Sequence, residues 1–150
     1  MPKPGKLIVL VTGTPGTRKT ALARDLSAAL KRPMSGAYVI ESALFDSLNP
    51  QSCACSSYLR KASVHAMWRL LSESPTGAVV EIGDDADAVA EGLSRIGEYR
   101  LAEIFCNMPP ATGDGGSGPL GLGPSRYVDL SQPVDTEALV TWILCRACRN

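Results

Sequence analysis

The sequence predicts an α/β protein with three layers, in which helices cover both faces of a mostly parallel sheet of about five strands. Two observations support this fold class. Short apolar runs of a strand's length alternate along the chain with segments whose apolar residues recur every three or four positions. A glycine-rich turn joins the first such run to the first such segment. Because parallel strands need crossover connections, this alternation indicates a parallel sheet.

The length and charge of the chain restrict the kinds of protein that it can be. Its 150 residues suffice for one sizeable core, so we expect a single domain over residues 1–150. Fifteen basic residues balance 15 acidic ones, which leaves no overall positive field for a nucleic-acid backbone. Nucleic acid is therefore not an expected partner, and any phosphate recognition must be local. Nothing in the composition indicates an oligomeric state.

Cysteine usage and hydropathy favour a reduced, cytoplasmic protein. The five cysteines are odd in number, and no long apolar segment follows the N-terminal MPKPGK. The longest strongly apolar run, Leu7 to Val11, is far shorter than the roughly 20 residues that span a bilayer. We therefore expect neither a transmembrane segment nor a membrane partner.

The first strand and the first helix have the clearest patterns. Lys6 to Thr12 is a continuous run rich in β-branched residues, which is typical of a strand buried on both faces. In the segment that follows, leucines recur at positions i, i+4 and i+8, which predicts an amphipathic helix with one apolar stripe: Leu22, Leu26 and Leu30.

The later elements are predicted in the same way. The expected strands are Gly36–Glu41, the GAVVEIG run at 77–83, Arg100–Cys106 and Arg126–Leu130. A helix over 56–72 is expected to bury Leu59, Ala62, Ala66, Met67, Leu70 and Leu71. Asp84 and Asp85 would start another helix, with Ala86, Val89, Ala90, Leu93 and Ile96 on its buried face. Asp135 would cap the last helix, which has Leu139, Val140, Ile143 and Leu144 on its apolar side.

One segment does not follow the alternation. Between Pro109 and Pro124, six glycines and four prolines occupy sixteen positions. This composition predicts an irregular loop rather than a helix or a strand.

The turn after the first strand has the pattern of a phosphate-binding loop. In the motif G-x-x-x-x-G-K-[ST], backbone amides and a helix N-terminus surround a phosphate, the lysine reaches the phosphate oxygens, and the hydroxyl binds Mg²⁺. Three of the four fixed positions match, and Arg18 stands where the second glycine belongs. The predicted nucleotide-binding residues are Gly13, Thr14, Pro15, Gly16, Thr17, Arg18, Lys19, Thr20 and Ala21. The alternative is a simple turn followed by a helix start.

A carboxylate near the end of the third strand is a candidate for the metal site. Glu81 lies inside an otherwise apolar strand, and a charged group there needs a partner. With Thr20, it would orient Mg²⁺ or its water molecules. The alternative is a salt bridge at the strand end.

Several segments together resemble small P-loop kinases often described as AAA-type ATP-binding proteins, relatives of chloramphenicol phosphotransferase and zeta toxin. These segments are LIVLVTGTPGTRKTALARDLSAALKRP, VIESALFDSL, GAVVEIG and RLAEIFCNMPP, which fall between Lys6 and Pro110. The resemblance implies a P-loop NTPase fold with ATP and Mg²⁺ as cofactors. It also implies phosphoryl transfer to a hydroxyl of a small molecule, whose identity stays open.

This chain departs from that family at two positions near the predicted site. Arg18 would crowd the phosphates if its position requires positive φ, or it would bind them through its guanidinium. Tyr38 stands where the resemblance implies a catalytic aspartate. The nearest carboxylates that could act as the base for the acceptor hydroxyl are Glu41 and Asp46, with Lys19 as the catalytic cation.

The glycine- and proline-rich loop takes the place of the family's arginine-bearing lid. No lysine or arginine occurs from Leu101 to Ser125, so Arg100 and Arg126 are the nearest cations. A missing transition-state arginine costs about 10³ to 10⁵ in rate. The alternative function is therefore an inactive relative that binds nucleotide or a protein partner.

Overall fold

The computed structural model describes residues 5–49, 53–83, 85–107 and 118–149, and it contains a sheet of five parallel strands with the order β2-β3-β1-β4-β5. The strands are β1 (Lys6–Gly13), β2 (Met34–Gly36), β3 (Gly77–Glu81), β4 (Tyr99–Asn107) and β5 (Ser125–Asp129). A sixth strand, β6 (Cys148–Arg149), pairs antiparallel with β4 and was not predicted. The helices are α1 (Thr17–Leu30), α2 (Ala37–Leu48), α3 (Cys53–Glu73), α4 (Ala86–Ser94) and α5 (Thr136–Arg146).

The predicted class is confirmed, because helices pack on both faces of the sheet. One apolar core lies between the sheet and α1 with α5, where Leu22, Leu26 and Leu30 form the expected stripe. The other lies between the sheet and α3 with α4. Strand β1 is central and pairs with β3 and β4, so each of its residues from Leu7 to Val11 is almost completely buried. Because both faces of β1 are buried, its apolar run is uninterrupted.

The prediction of a strand over Gly36–Glu41 is wrong. Strand β2 ends at Gly36, and the chain enters α2 at Ala37. Only three residues of β2 pair with β3, whereas α2 packs extensively against α3. Short apolar segments fit either a strand or a helix, and here the packing against α3 decides between them.

The buried face of α3 also differs from the prediction. Leu70 is 62% exposed and Ala62 is exposed, whereas Ser63 and Trp68 are buried. The ring of Trp68 packs against Gly92 of α4, where an added Cβ would lie 2.1 Å from Cε2 of the ring. The contact with α4 therefore turns the helix toward Trp68 and leaves Leu70 in solvent.

The last two helices begin as predicted but differ in their buried faces. Asp85 and Asp135 occupy the N-cap positions, and each accepts a hydrogen bond of 3.0 Å from the amide three residues on. Ala90 of α4 is exposed, as is Leu144 of α5. Asp84 and the first part of the glycine- and proline-rich segment, residues 109–117, lie outside the described residues. Residues 118–124 form neither helix nor strand.

The irregular segment after residue 117 is attached to the sheet by a buried carboxylate. Glu103 of β4 is 1% exposed and accepts hydrogen bonds from the Leu120 amide at 2.9 and 3.0 Å and from the Thr12 hydroxyl at 2.5 Å. These bonds offset the cost of burying a charge within the sheet. Within the part of the chain that is described, no helix combines the length and the apolar character needed to cross a membrane.

Candidate nucleotide-binding site

The candidate site lies at the edge of the sheet where the parallel strands end. The register places Val11 beside Glu81 and Gly13 beside Cys106, so the ends of β1, β3 and β4 lie side by side. The loop between β1 and α1 leaves the sheet at this edge. Ligands of open parallel sheets bind at such carboxyl ends.

The first glycine of the loop is required by its surroundings. Gly13 has φ of +104°, and a Cβ there would lie 1.8 Å from the carbonyl oxygen of Cys106. The next residue, Thr14, donates its amide to that same carbonyl at 3.0 Å and its hydroxyl to Asn107 Oδ1 at 3.1 Å. The start of the loop is therefore fixed against the end of β4, and Thr14 and Pro15 are exposed above it.

Helix α1 begins without a side-chain cap. Its N-cap residue is Gly16, with φ of +155°, and among the described residues no side chain forms a cap hydrogen bond with the amides of the first turn. Helices α4 and α5, by contrast, are capped by aspartates. An uncapped first turn combines amide donors with the positive end of the helix dipole, which is the arrangement that binds a phosphate. Thr17 begins this turn, and Ala21 follows it with an exposed side chain.

Lys19 is almost completely buried, with 4% of its surface exposed. Its ammonium group donates to the carbonyl oxygen of Ile82 at 3.1 Å and contacts that of Gly13 at 3.5 Å. The lysine thus lies between the ends of β1 and β3. A buried ammonium group beside the start of a helix attracts an anion strongly, because the surrounding dielectric constant is low.

Thr20 and Glu81, the two predicted metal ligands, are brought together. The Thr20 hydroxyl donates to Glu81 Oε1 at 2.8 Å. The other carboxylate oxygen, Oε2, is buried and has no hydrogen-bond partner among the described residues. Hydroxyl and carboxylate oxygens are the donors that Mg²⁺ prefers, and a water molecule on Mg²⁺ would supply the missing hydrogen bond. These residues therefore fit a Mg²⁺ ion.

Arg18 does not occupy the strained conformation considered for it. It is the second residue of α1, and the non-glycine residues with positive φ in the described chain are Lys31 and Asn49. The expectation of crowding caused by positive φ is therefore wrong. Its guanidinium instead donates to the carbonyl oxygen of Leu130, in the loop between β5 and α5.

Two cavities adjoin the start of α1. The first has a volume of about 490 Å³ and is lined by Gly16, Thr20, Arg24, Tyr38 and Glu81. The second, of about 460 Å³, lies between α1 and the loop from β5 to α5. Its lining comprises Arg18, Ala21, Leu22, Asp25, Leu130, Ser131, Gln132, Pro133, Val134 and Thr136.

The candidate bases do not line either cavity. Glu41 lies on α2, one turn after Tyr38, and forms an ion pair of 3.7 Å with Arg60 of α3. Asp46 is exposed near the end of α2. Tyr38, which sequence reasoning noted only as a departure, is the α2 residue at the first cavity.

The two arginines that flank the glycine- and proline-rich segment differ in their contacts. Arg100, at the start of β4, donates to the carbonyl oxygens of Leu144 at 2.8 Å and Ala147 at 3.4 Å. It therefore lies at the edge of the sheet opposite the loop and is a strand-end residue. Arg126 is exposed on β5.

Sequence reasoning missed several residues around the site. Arg24 follows Thr20 by one helical turn, and this spacing could have indicated it. Asn107 ends β4 at the functional edge of the sheet, where polar residues are candidates. Cys106 is buried in the core beside Gly13, close to the end of β4. Burial raises the pKa of its thiol to about 11, partly opposed by the charge of Lys19 and reinforced by that of Glu81.

No family model and no curated protein matches the chain. Solved structures do match it. A protein from Chloroflexus aurantiacus J-10-fl, described as a "putative kinase", superposes with a TM-score of 0.74 over 97% of both chains at 21% identity. A gluconokinase from Sinorhizobium meliloti 1021 gives 0.57 at 17% identity, covering 95% of this chain and 90% of its own. Shikimate kinase from Aquifex aeolicus gives 0.56 at 18% identity, covering 93% and 94%.

These similarities establish the fold and nothing narrower. The chain has the α/β fold of small P-loop kinases, as the sequence predicted. The narrower resemblance to chloramphenicol phosphotransferase and zeta toxin stays a prediction.

Proposed function

We propose that the protein binds ATP or a related nucleoside triphosphate with Mg²⁺ at Gly13–Ala21 and presents the terminal phosphate to a hydroxyl of a small molecule. The observation on which this proposal depends is the contact between Thr20 and Glu81. It joins a hydroxyl to a carboxylate that has one buried oxygen without a partner, beside an uncapped helix start. The kinase-type fold supports the same assignment.

Each residue of this site has a distinct part in the proposed binding. The first turn of α1 would donate to the phosphate oxygens, and Lys19 would exchange a carbonyl contact for the terminal phosphates. Thr20 and Glu81 would hold Mg²⁺, which neutralises phosphate charge when it is bound. Gly13 keeps the start of the loop close to β4.

The second cavity suits the nucleoside. It adjoins the same loop through Arg18 and Ala21, and Leu22, Pro133 and Val134 give it apolar walls. Ligand pockets typically combine such walls with a few polar groups. A triphosphate bound at the start of α1 would therefore place its base and ribose here and its terminal phosphate toward the first cavity.

The first cavity suits the acceptor. Arg24 lines it and has no hydrogen bond or ion pair within the described part of the chain, so its guanidinium is available to an anionic group of the acceptor or to the transferred phosphoryl group. Tyr38 also lines this cavity and would supply a hydroxyl to the acceptor. Glu41 and Asp46 stay the proposed bases for the acceptor proton, and Glu41 would have to leave Arg60 to reach it.

The second candidate function is nucleotide binding without phosphoryl transfer. It is favoured by the absence of lysine and arginine from Leu101 to Ser125 and by the position of Arg100 at the far edge of the sheet. Phosphoryl transfer depends on cations around the transferred group, and here Arg24 would have to replace those of a lid.

The experiment that tests the proposal compares the wild type with Lys19→Ala. ATP with Mg²⁺ should raise the unfolding temperature of the wild type, because a ligand stabilises the native state that binds it. The Lys19→Ala variant should show no such rise, whereas Lys61→Ala, at an exposed position of α3, should behave as the wild type. Equal ligand-induced shifts in all three proteins would contradict the proposed site.

A further inference from the structure

Arg18 stands at the position where the phosphate-loop motif has a glycine, yet its side chain lines the second cavity. We propose that Arg18 is a positioning residue for the base and ribose: it holds the segment Leu130–Val134 against α1 and forms one wall of the second cavity. This inference rests on the proposed nucleotide binding and assigns Arg18 a role that does not involve the phosphates.

The direction of the side chain is the first argument. The guanidinium donates to the carbonyl of Leu130, the first residue after β5. Arg18 lines the second cavity, and it does not line the cavity next to Thr20 and Glu81. Its backbone is helical, so the replacement of glycine requires no strained conformation of the loop.

The partner of Arg18 belongs to a turn that has several hydrogen bonds of its own. The Leu130 amide donates to the Asn107 carbonyl at 2.8 Å, which fixes Leu130 to the end of β4. Asp129 accepts from the Ser131 amide at 2.8 Å and from its hydroxyl at 2.6 Å. The hydrogen bond from Arg18 joins this turn to α1 beside the second cavity.

The chemistry of the second cavity favours an uncharged aromatic group over a phosphate. Asp25 contributes a negative charge that would repel phosphate, and the positive charge of Arg18 is already engaged by a carbonyl. A planar guanidinium stacks well on aromatic rings, and a carboxylate accepts hydrogen bonds from amino groups or hydroxyls. A purine base with its ribose has both features.

The test compares the binding of ATP with that of inorganic tripolyphosphate, both with Mg²⁺, by titration calorimetry. Arg18→Met should weaken the binding of ATP about tenfold, because the variant loses the guanidinium wall of the second cavity and the hydrogen bond that holds the Leu130 turn. The affinity of the variant for tripolyphosphate should stay within about twofold of the wild-type affinity, because that ligand has no nucleoside. Arg18→Gly, which restores the motif, should show the same difference between the two ligands. Arg69→Met, at an exposed position of α3, is the control for the lost charge.

The other outcomes overturn the inference. Equal weakening of both ligands would make Arg18 a phosphate ligand, and tightening of both would mean that its side chain crowds the phosphates. Unchanged affinity for both ligands would mean that Arg18 takes no part in nucleotide binding. Failure of the proposed function gives a different result. The wild type would then bind neither ligand, or Lys19→Ala would bind both ligands as the wild type does. Either result would also contradict the inference about Arg18.

Discussion

The hydroxyl of Thr20 donates a 2.8 Å hydrogen bond to Glu81 Oε1, which joins the first turn of α1 to the last residue of β3. These residues are 61 positions apart in the sequence. They meet because β3 pairs with β1, and the loop after β1 returns α1 across the end of β3. Thr20 and Glu81 thereby lie next to the uncapped start of α1 and the buried ammonium group of Lys19.

The unpartnered oxygen of Glu81 leads to a prediction about Mg²⁺. Glu81→Gln removes the negative charge that would attract the ion, so the affinity for ATP in the presence of Mg²⁺ should fall about tenfold or more. The affinity for ATP in the presence of a chelator should stay the same or rise, because one negative charge near the phosphates is gone. Calorimetric titration with Mg²⁺ and with chelator measures both values.

Glu73→Gln is the matched control for the Glu81 prediction. Glu73 is an exposed carboxylate on α3 that pairs with Arg69, so the substitution should change neither affinity. If Glu81→Gln lowered the affinity for ATP equally with and without Mg²⁺, Glu81 would act on the fold of the loop. Its assignment as a metal ligand would then be wrong.

Turnover of ATP by the wild-type protein without an acceptor is expected to stay at the background rate. The glycine- and proline-rich segment contains no lysine or arginine, and the loss of a transition-state cation lowers the rate by about 10³ to 10⁵. Release of inorganic phosphate, compared between the wild type and Lys19→Ala, measures this rate. Rapid release that disappears in Lys19→Ala would show that Arg24 or another cation replaces those of a lid.

The contact between Trp68 and Gly92 leads to a prediction about stability. A Cβ at position 92 would lie 2.1 Å from the Trp68 ring, so Gly92→Ala should force the helices α3 and α4 apart. Overpacking of this kind typically costs about 1–3 kcal/mol, which exceeds the gain of about 1 kcal/mol from helix propensity. Urea denaturation should therefore show a lower free energy of unfolding. Gly97→Ala, where no atom lies within 4 Å of the added Cβ, is the control and should change the free energy of unfolding little. A Gly92→Ala variant as stable as the wild type would refute the packing argument.

The strength of local patterns explains which elements were predictable. Strand β1 and helix α1 have long, regular apolar patterns, and the aspartate caps of α4 and α5 depend on residues three positions apart. Helix α2 lacks such a signal. Its residues are as apolar as those of a strand, none is buried, and only its packing against α3 fixes its conformation.

The sequence by itself determined the α/β class, the position of a candidate phosphate loop between β1 and α1, and the candidate set Lys19, Thr20 and Glu81. These follow from spacing within one element or from strand ends that must share an edge. The tertiary structure alone decided which partner each polar side chain took. Arg18 reached Leu130, 112 positions away, and Glu103 became a buried anchor for the Leu120 amide. Such pairings depend on which loops the sheet order brings together, and no periodicity in the chain encodes that order.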